Sequence, residues 1–251
     1  MEENQVIEIP KIIHYCWFGR NPLPKMAIRC ISSWRRFFPD YEIKEWNEDN
    51  FDVNLIPYTR DAYAVKKYAF VSDYARFWIL YRYGGIYFDT DVEVIKPMFE
   101  IVSKGPYLGI EIPGNSPGQK IAVNPGLGFA VQPGNEMIKE ILSQYESLPF
   151  WVSEGEQNPY SMIPLITDLL LQKGLLHSVE VQLIDDVSVY PQDYFNPLDD
   201  ATGRLQITEN TCSIHWYTKS WISSEQRVLF PIKRLLRRLF GSRFLSFFKQ
   251  R

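Results

Sequence analysis

The chain has 251 residues, of which 45% are hydrophobic and 23% charged, as in a globular domain large enough to bury a real core. Eight basic residues and no acid follow Glu225, whereas residues 1–225 carry 19 basic and 30 acidic side chains, a net charge of −11. An acidic body with a basic tail argues against a nucleic-acid-binding protein, whose basic surface lies on its main domain.

The amino-terminal sequence and the cysteines bear on the cellular compartment. MEENQVIEIP begins with acids and lacks the apolar stretch of a signal peptide, which predicts a cytoplasmic protein. Cys16, Cys30 and Cys212 are odd in number and show no CxxC spacing. They are therefore expected to be buried free thiols in a reducing compartment and not disulfides or a zinc site.

The first half of the chain alternates predicted strands with predicted helices. In order, these are the strand IPKIIHYCWFG, a helix over 25–37, the strand YEIKEWN, a helix from about Asp61 to Tyr83 and the extended segment IYFDTDVEVI. Further on, PYLGIEI and GLGFAVQ are predicted strands, and PGNEMIKEILSQY and PYSMIPLITDLLLQKG are predicted helices. This alternation predicts an α/β fold with a sheet of Rossmann type, whose ligands lie beyond the carboxyl ends of its strands.

The segment SDYARFWILYRYGGIYFDTDVEV, residues 72–94, carries the main functional signal. Ser72 is predicted to cap a helix that begins at Asp73, and Gly84-Gly85 to stop it. If the next segment is extended, Asp89 and Asp91 lie on one face with their Cα atoms roughly 6.5 Å apart. Such a pair repels itself unless a cation or proton intervenes, and its oxygens suit Mg²⁺ or Mn²⁺. The alternative is two unrelated solvated acids on an exposed strand.

The carboxy-terminal residues 226–251 form a separate predicted unit after the domain of residues 1–225. Apolar residues recur at helical spacing from Ile232 to Phe240, opposite a face of lysine and arginine. This pattern is typical of a helix lying on an anionic membrane surface. The alternative is a terminal helix packed on the body with its arginines in solvent.

The residues 72–94 resemble the DXD signature of glycosyltransferase family 32, which includes yeast initiating mannosyltransferases and bacterial capsule enzymes. They are also similar to the catalytic domains of the large clostridial glucosylating toxins. Three further segments resemble family elements in the same order, namely IPKIIHYCWFG, VNPGLGFAVQPGNEMI and HWYTKSW. The resemblance covers about residues 9–221 and leaves the tail outside.

The resemblance implies a GT-A glycosyltransferase, with a Rossmann-like mixed sheet flanked by helices, that depends on Mn²⁺ or Mg²⁺ and retains the anomeric configuration. It implies a nucleotide-diphospho-sugar donor, with a UDP-linked hexose such as UDP-galactose or UDP-glucose favoured through the toxin likeness. The expected acceptor is a lipid-linked oligosaccharide or glycan of a surface (capsular) polysaccharide. With the tail, this places the protein on the inner face of the cell membrane.

Carried over residue by residue, the resemblance also implies roles for the donor-binding side chains. Trp17 would stack on the nucleotide base, and Tyr87 would contact the nucleotide. Asp73 and Arg76 would hold the sugar hydroxyls and the ribose, although from spacing alone they could simply pair with each other.

The resemblance also implies which residues act in catalysis and bind the metal. Asp89 would bind ribose and metal, Asp91 would be the principal metal ligand, and Asn124 would lie beside the donor sugar. His215 would act as a third metal ligand, and it would close over the metal and diphosphate together with Ser220 and Trp221. The toxins have an acid where His215 aligns, so the alternative for this residue is a hydrogen-bonded core histidine.

Two other functions fit parts of the same pattern. A haloacid-dehalogenase-like phosphohydrolase also ends a strand in D-x-D and binds Mg²⁺, and Asp185-Asp186 could supply its later acidic pair. Its nucleophile strand normally opens the domain, however, whereas here about 85 residues precede it. A non-catalytic, membrane-associated carbohydrate-binding protein would use the same aromatic residues and tail.

Overall fold

The computed structural model describes residues 8–114, 119–158, 160–219, 234–236 and 238. The strands of this part are β1 (Ile12–Cys16), β2 (Glu42–Trp46), β3 (Gly85–Tyr87), β4 (Val92–Val94), β5 (Tyr107–Ile112), β6 (Ala122–Val123), β7 (Phe129–Val131), β8 (Trp151–Ser153), β9 (Glu156–Gln157), β10 (Gln182–Ile184), β11 (Val187–Tyr190) and β12 (Ser213–His215). The helices are α1 (Lys25–Phe37), α2 (Pro57–Ala64), α3 (Tyr68–Tyr83), α4 (Phe99–Val102), α5 (Glu136–Ser147), α6 (Met162–Gln172) and α7 (Gln192–Phe195), with a 3-10 turn at Pro125–Leu127.

A mixed sheet with strand order β10-β11-β5-β7-β3-β1-β2 forms the centre of the fold, and β6 pairs with β5 beside it. β1 is parallel to β2 and β3, and β11 is parallel to β5. Because β7 is antiparallel to both β3 and β5, the strands β1, β2, β3, β5 and β11 all run in one direction. Their carboxyl ends therefore meet at one edge of the sheet, and the predicted α/β fold is confirmed.

Aromatic side chains fill much of the interior. The largest fully buried side chains include Trp34, Trp46, Tyr58, Tyr87, Tyr107, Tyr145, Phe77, Phe88, Phe129, Phe150 and Phe195. The three cysteines are free and buried, as predicted. The high aromatic content of the sequence is thus used largely for packing the core.

The helix predicted from Asp61 to Tyr83 is in fact two helices, α2 and α3. The chain breaks between them at Lys66, which has a φ of +59°, and the backbone N–H of Lys67 donates to the carbonyl of Ala62. The predicted helix start at Asp73, with Ser72 as its cap, is also wrong, because α3 begins five residues earlier, at Tyr68. The Ser72 hydroxyl donates to the carbonyl of Tyr68 at 3.2 Å, a bond back along the helix and not a cap.

The glycine pair after α3 ends the helix as predicted. Gly84 and Gly85 have φ values of +62° and +97°, which L side chains rarely adopt. A side chain at Gly85 would also approach the carbonyl oxygen of Ile12 and the ring of His14. The chain can therefore pass from α3 directly into β3, next to β1.

The acidic segment after β3 is a turn, so the predicted continuous strand from Ile86 to Ile95 is wrong. The backbone N–H of Val92 donates to the carbonyl of Asp89 at 3.0 Å, which closes the turn before β4 begins. Asp89 and Asp91 are therefore not alternate residues on the face of one extended strand. The turn lets each carboxylate contact a different part of the chain.

The strand β4 pairs with β12 in a small antiparallel sheet that sets His215 opposite Val92. Of the predicted tail, residues 234–236 and 238 are helical. The rest of the tail, including the domain boundary predicted at residues 225 and 226, lies outside the described residues. Among the described helices, none combines the length and apolar character that a bilayer crossing requires.

Candidate functional site

A cleft of about 820 Å³ lies at the edge of the sheet where the parallel strands end. Most of the side chains singled out in the sequence line it, namely Trp17, Asp73, Arg76, Tyr87, Asp89, Asp91, Asn124 and His215. Ser220 and Trp221 lie outside the described residues, so their roles stay predictions. The fold thus brings together, at one site, residues that are up to about 200 positions apart in the sequence.

Arg76 of α3 lies buried between two acids at the floor of the cleft. Its guanidinium contacts the carboxylates of Asp73 at 2.9 Å and Asp89 at 3.3 Å, and it lies over the ring of Tyr87. The Tyr87 hydroxyl donates to Asp89 as well, at 3.2 Å. Burial raises the pKa of Asp73 to about 6, although the positive charge of Arg76 opposes this. The predicted pairing of Asp73 with Arg76 is therefore present, and it extends to the first acid of the DXD motif.

Asp91 is held by residues of the segment that follows β12. Its Oδ1 contacts Nε2 of His215 at 3.0 Å, and its Oδ2 accepts from the backbone N–H and the hydroxyl of Thr218 at 2.8 and 2.9 Å. Burial alone would raise the pKa of this carboxyl, but His215 and the Thr218 hydrogen bonds outweigh burial and lower it to about 2. Asp91 is therefore an ionised carboxylate in a fixed orientation.

His215 is buried beside the same carboxylate. Burial disfavours its charged form, but the negative charge of Asp91 outweighs this and raises its pKa to about 9. The Nδ1 atom of His215 is buried and has no hydrogen-bond partner among the described residues. The sequence left two roles open for His215, a metal ligand or a hydrogen-bonded core histidine. The structure has features of both, because His215 is buried and hydrogen-bonded and also faces Asp89 and Asp91.

Asp89, Asp91 and His215 together fit a divalent cation. One ligand atom from each side chain lies within 4.8 Å of the other two. Two carboxylates and an imidazole are a donor set that suits Mn²⁺, and the carboxylates also suit Mg²⁺. The orphaned Nδ1 of His215 is a further polar atom at the site whose bonding capacity is unused. The residues that the sequence predicted as metal ligands are thus close enough to share one ion.

The 3-10 turn at Pro125–Leu127 follows Asn124, which lines the cleft. Asn124 caps this turn, because its side-chain oxygen accepts from the backbone N–H of Gly126 at 2.7 Å. The carbonyl of Gly126 in turn accepts from the backbone N–H of Asp89 at 3.3 Å. A side chain at Gly126 would collide with the Asp89 carboxylate and approach Asn124. This glycine therefore lets the turn lie directly against the first acid of the motif.

Several residues in or next to the cleft were missed in the sequence. Thr218 orients Asp91. It belongs to the segment HWYTKSW, which was singled out in the sequence, but only its hydroxyl group could have indicated this role. Glu111, near the carboxyl end of β5, accepts from the Tyr217 hydroxyl at 2.8 Å. Asp200 accepts from Lys219 and from Arg234 of the tail, each at 2.8 Å. Glu111 could have been found from its place near the end of a predicted strand.

The acidic pair considered for a phosphohydrolase lies elsewhere. Asp185 and Asp186 form the turn between β10 and β11, at the start of β11. Asp186 accepts from the side chains of Gln132 and Asn135 at 3.0 and 2.9 Å. Because β11 runs parallel to β5, its start lies at the sheet edge opposite the cleft. These acids therefore do not join Asp89 and Asp91 in one site.

Comparison with known proteins gives a partial match centred on this site. Residues 24–108 match the family model described as glycosyltransferase sugar-binding region containing DXD motif. Inositol phosphoceramide mannosyltransferase 1 of Schizosaccharomyces pombe is 30% identical over 112 residues, which are 40% of this chain and 34% of that protein. Inositol phosphoceramide mannosyltransferase 3 of the same yeast is 37% identical over 97 residues, covering 36% of this chain and 26% of that protein.

A solved structure extends the likeness to the fold. PaToxG glycosyltransferase superposes with a TM-score of 0.50 at 22% identity, covering 67% of this chain and 71% of its own. The match to the two yeast proteins spans only about a third or less of their length. The predicted resemblance to DXD glycosyltransferases is confirmed over residues 24–108, while the likenesses to capsule enzymes and clostridial toxins stay predictions.

Proposed function

We propose that this chain, which carries the DXD-containing sugar-binding region of glycosyltransferases, is a metal-dependent hexosyltransferase that uses a nucleotide-diphospho-sugar. The observation that carries the proposal is the convergence of Asp89, Asp91 and His215 in a cleft at the carboxyl ends of the strands. The family match to this part of the chain supports transfer over the hydrolytic and the purely binding alternatives.

The charge arrangement of the cleft suits a departing diphosphate. When the anomeric bond breaks, negative charge grows on the leaving oxygen, and fixed positive charge nearby lowers the barrier. A divalent ion held by Asp89, Asp91 and His215 would supply Lewis-acid stabilisation of that charge. Arg76 keeps Asp89 in place, and Thr218 does the same for Asp91. The protein thus holds its acids in fixed positions before substrate binds.

The donor-binding residues lie around the acids. Trp17 lies half-buried at the cleft wall, with its indole N–H donating to the carbonyl of Asn21 at 2.6 Å, and this bond leaves its ring face for stacking on the base. Asp73, Arg76 and Asn124 line the adjoining part of the cleft, where the ribose and the donor sugar would bind. Retention follows if the acceptor attacks from the face that the diphosphate leaves, within an ion pair.

Different observations support the proposed donor and the proposed acceptor. The sequence resemblance favours a UDP-linked hexose, and the names of the yeast relatives add mannose as a second sugar. The acceptor is proposed to be a lipid-linked oligosaccharide or glycan of a surface polysaccharide. The basic residues of 226–251, next to leucines and phenylalanines, support binding to the inner, anionic face of the cell membrane.

The test is release of nucleotide diphosphate from UDP-glucose, UDP-galactose and GDP-mannose in the presence of Mn²⁺. We expect release from one donor, lost in EDTA and reduced at least about a hundredfold in Asp91→Asn, because a carboxylate charge of the metal site is gone. Asp185→Asn is the matched control, since this exposed acid lies at the opposite sheet edge. Phosphomonoester hydrolysis without donor cleavage would favour the phosphohydrolase, and sugar binding without either reaction would favour the binding protein.

A further inference from the structure

Glu111 brings a carboxylate into the cleft, and none of the donor-side residues that the structure describes contacts it. It is the fifth of six residues of β5, half-buried, and lines the cleft at the edge where the parallel strands end. Its backbone carbonyl accepts from the side chain of Asn196 at 3.1 Å, and its Oε1 accepts from the Tyr217 hydroxyl at 2.8 Å. The side chain is therefore held in place near its tip but not enclosed.

The partner of Glu111 belongs to the segment that also orients the metal-binding acid. Tyr217 has a φ of +51° and its ring lies 4.2 Å from that of His215, centroid to centroid. The next residue, Thr218, makes both hydrogen bonds to Asp91. One short segment thus fixes Glu111 relative to Asp91.

Asp200, the other acid on this side of the cleft, differs from Glu111 in its bonding. Its Oδ2 accepts from Lys219 and its Oδ1 from Arg234, so each oxygen already contacts a cation. Within the described part of the chain, the side chain of Glu111 accepts one neutral hydroxyl, that of Tyr217, on one oxygen. An ionised carboxylate has about four acceptor positions, so Glu111 keeps the capacity to bind hydroxyl groups of a substrate. Sugar hydroxyls are donors of this kind.

We propose that Glu111 binds the acceptor sugar and orients its attacking hydroxyl, with Tyr217 holding the carboxylate in position. The inference rests on the proposed hexosyltransferase function and names the class of acceptor, a hydroxyl-bearing glycoside. In the transfer, the acceptor oxygen bonds to the anomeric carbon, and the bond from that carbon to the diphosphate oxygen breaks with its electron pair. The hydroxyl proton leaves on the departing diphosphate, so Glu111 positions the hydroxyl without being consumed.

The test separates acceptor binding from donor binding in Glu111→Gln, which keeps the shape and removes the charge. The probes are methyl α-mannopyranoside, methyl β-glucopyranoside and methyl β-galactopyranoside, added to protein loaded with Mn²⁺ and UDP or GDP. Saturation-transfer NMR should show binding of one glycoside to the wild type and at least about tenfold weaker binding to the variant, as for loss of a charged hydrogen bond. The affinity for the nucleotide with Mn²⁺ should stay within about twofold.

Two further variants make the result specific. Tyr217→Phe should weaken glycoside binding by a smaller factor, about threefold, because the carboxylate stays but loses its fixed donor. Glu140→Gln, at an exposed salt bridge with Lys173, should change nothing. Absence of glycoside binding to the wild type, equal binding to Glu111→Gln, or a parallel loss of nucleotide affinity would overturn the inference. The proposed function itself fails separately, if the wild type cleaves no nucleotide sugar.

Discussion

Thr218 donates both its backbone N–H and its hydroxyl to a single oxygen of Asp91, at 2.8 and 2.9 Å. The two residues are 127 positions apart, and the second acid of the DXD motif takes its orientation from this contact. The fixed carboxylate spares the site part of the reordering that metal binding would otherwise require.

Replacing the hydroxyl of Thr218 should weaken metal-dependent nucleotide binding. Thr218→Val keeps the side-chain volume and the backbone bond but removes one hydrogen bond to Asp91. A net loss of about 1 kcal/mol corresponds to roughly fivefold weaker binding. Titration calorimetry with UDP or GDP in the presence of Mn²⁺ measures this. Thr218→Ser, which keeps the hydroxyl, should bind like the wild type, and equal affinities for all three proteins would contradict the role of the hydroxyl.

Substituting Arg76 by lysine should destabilise the fold and not only the site. A lysine cannot contact Asp73 and Asp89 simultaneously or lie flat over Tyr87, so a buried carboxylate loses its partner. We expect the free energy of unfolding to fall by about 2–3 kcal/mol in urea denaturation. Arg20→Lys is the control, because its pair with Asp49 is exposed and its substitution should leave the free energy of unfolding close to that of the wild type. Similar losses in both variants would argue against a special role for Arg76.

The Asp91–His215 pair should make the metal-free protein sensitive to alkaline pH. The pKa of His215 is raised to about 9 in the folded protein, so its stabilisation is complete below the ordinary value of 6.5 and is lost as pH rises through 9. The pKa of Asp91 is lowered to about 2, so its contribution is present above 3.8 and is lost only as pH falls through 2. At neutral pH both contributions are present.

Thermal melting in EDTA between pH 7 and pH 10 checks this prediction. The wild type should lose at least about 3 °C more than His215→Gln over this range, because the variant has no charge to lose. Parallel pH profiles for the two proteins would mean that His215 is neutral in the folded state at pH 7. Excess Mn²⁺ should change the wild-type profile, since the metal and the proton compete for the same side chains.

Adding a methyl group at Gly126 should impair activity more than stability. The new Cβ of Gly126→Ala would collide with the Asp89 carboxylate and displace it from Arg76. We expect at least a roughly tenfold loss of donor cleavage, together with a smaller loss of stability than in Arg76→Lys. Gly105→Ala should show the reverse, because nothing lies near its Cβ but its φ of +104° strains any L residue. Equal effects on activity would indicate that Gly126 acts only through the fold.

Removing residues 226–251 should abolish membrane binding while leaving donor cleavage in place. The truncated protein loses eight basic residues and the leucines and phenylalanines beside them. Co-sedimentation with vesicles of phosphatidylserine and phosphatidylcholine should fall to the level seen with phosphatidylcholine alone. Reversing the charge of Lys233, Arg237 and Arg238 to glutamate gives a matched control that keeps the tail length. Unchanged sedimentation of the truncated protein would contradict the membrane proposal.

The sequence predicted those parts of the fold that local pattern determines. The helix 25–37 was found with its bounds, because its apolar spacing and the following proline are local signals. The break between α2 and α3 was missed, since it depends on Lys66 adopting a φ of +59°, for which a lysine gives no signal. The turn at Asp89 was missed for a related reason. Alternating apolar and acidic residues indicate a strand, whereas tertiary contacts to Arg76 and Gly126 impose the turn.

The residues around the acids were harder to predict than the acids themselves. Asp89 and Asp91 stand out because two carboxylates so soon after an apolar helix and a glycine stop contribute little to packing a core. Thr218 and Glu111 are ordinary residues in sequence, and their roles come from contacts across 127 and 106 positions. The spacing of apolar and polar residues along the sequence does not indicate contacts between residues so far apart. These contacts depend on the pairing of β12 with β4, which places the segment after β12 beside the DXD turn.

The dependence of Asp91 on Thr218 has a consequence for biosynthesis. A chain growing on the ribosome exposes β1 to β7 before residues 213–219 are made, so much of the sheet can form while the second acid still lacks its clamp. Under the proposed function, the cleft can therefore hold the donor only once residues 213–219 have been made, and a chain that stops before them would retain the DXD segment without His215 and Thr218, which contact the carboxylate of Asp91.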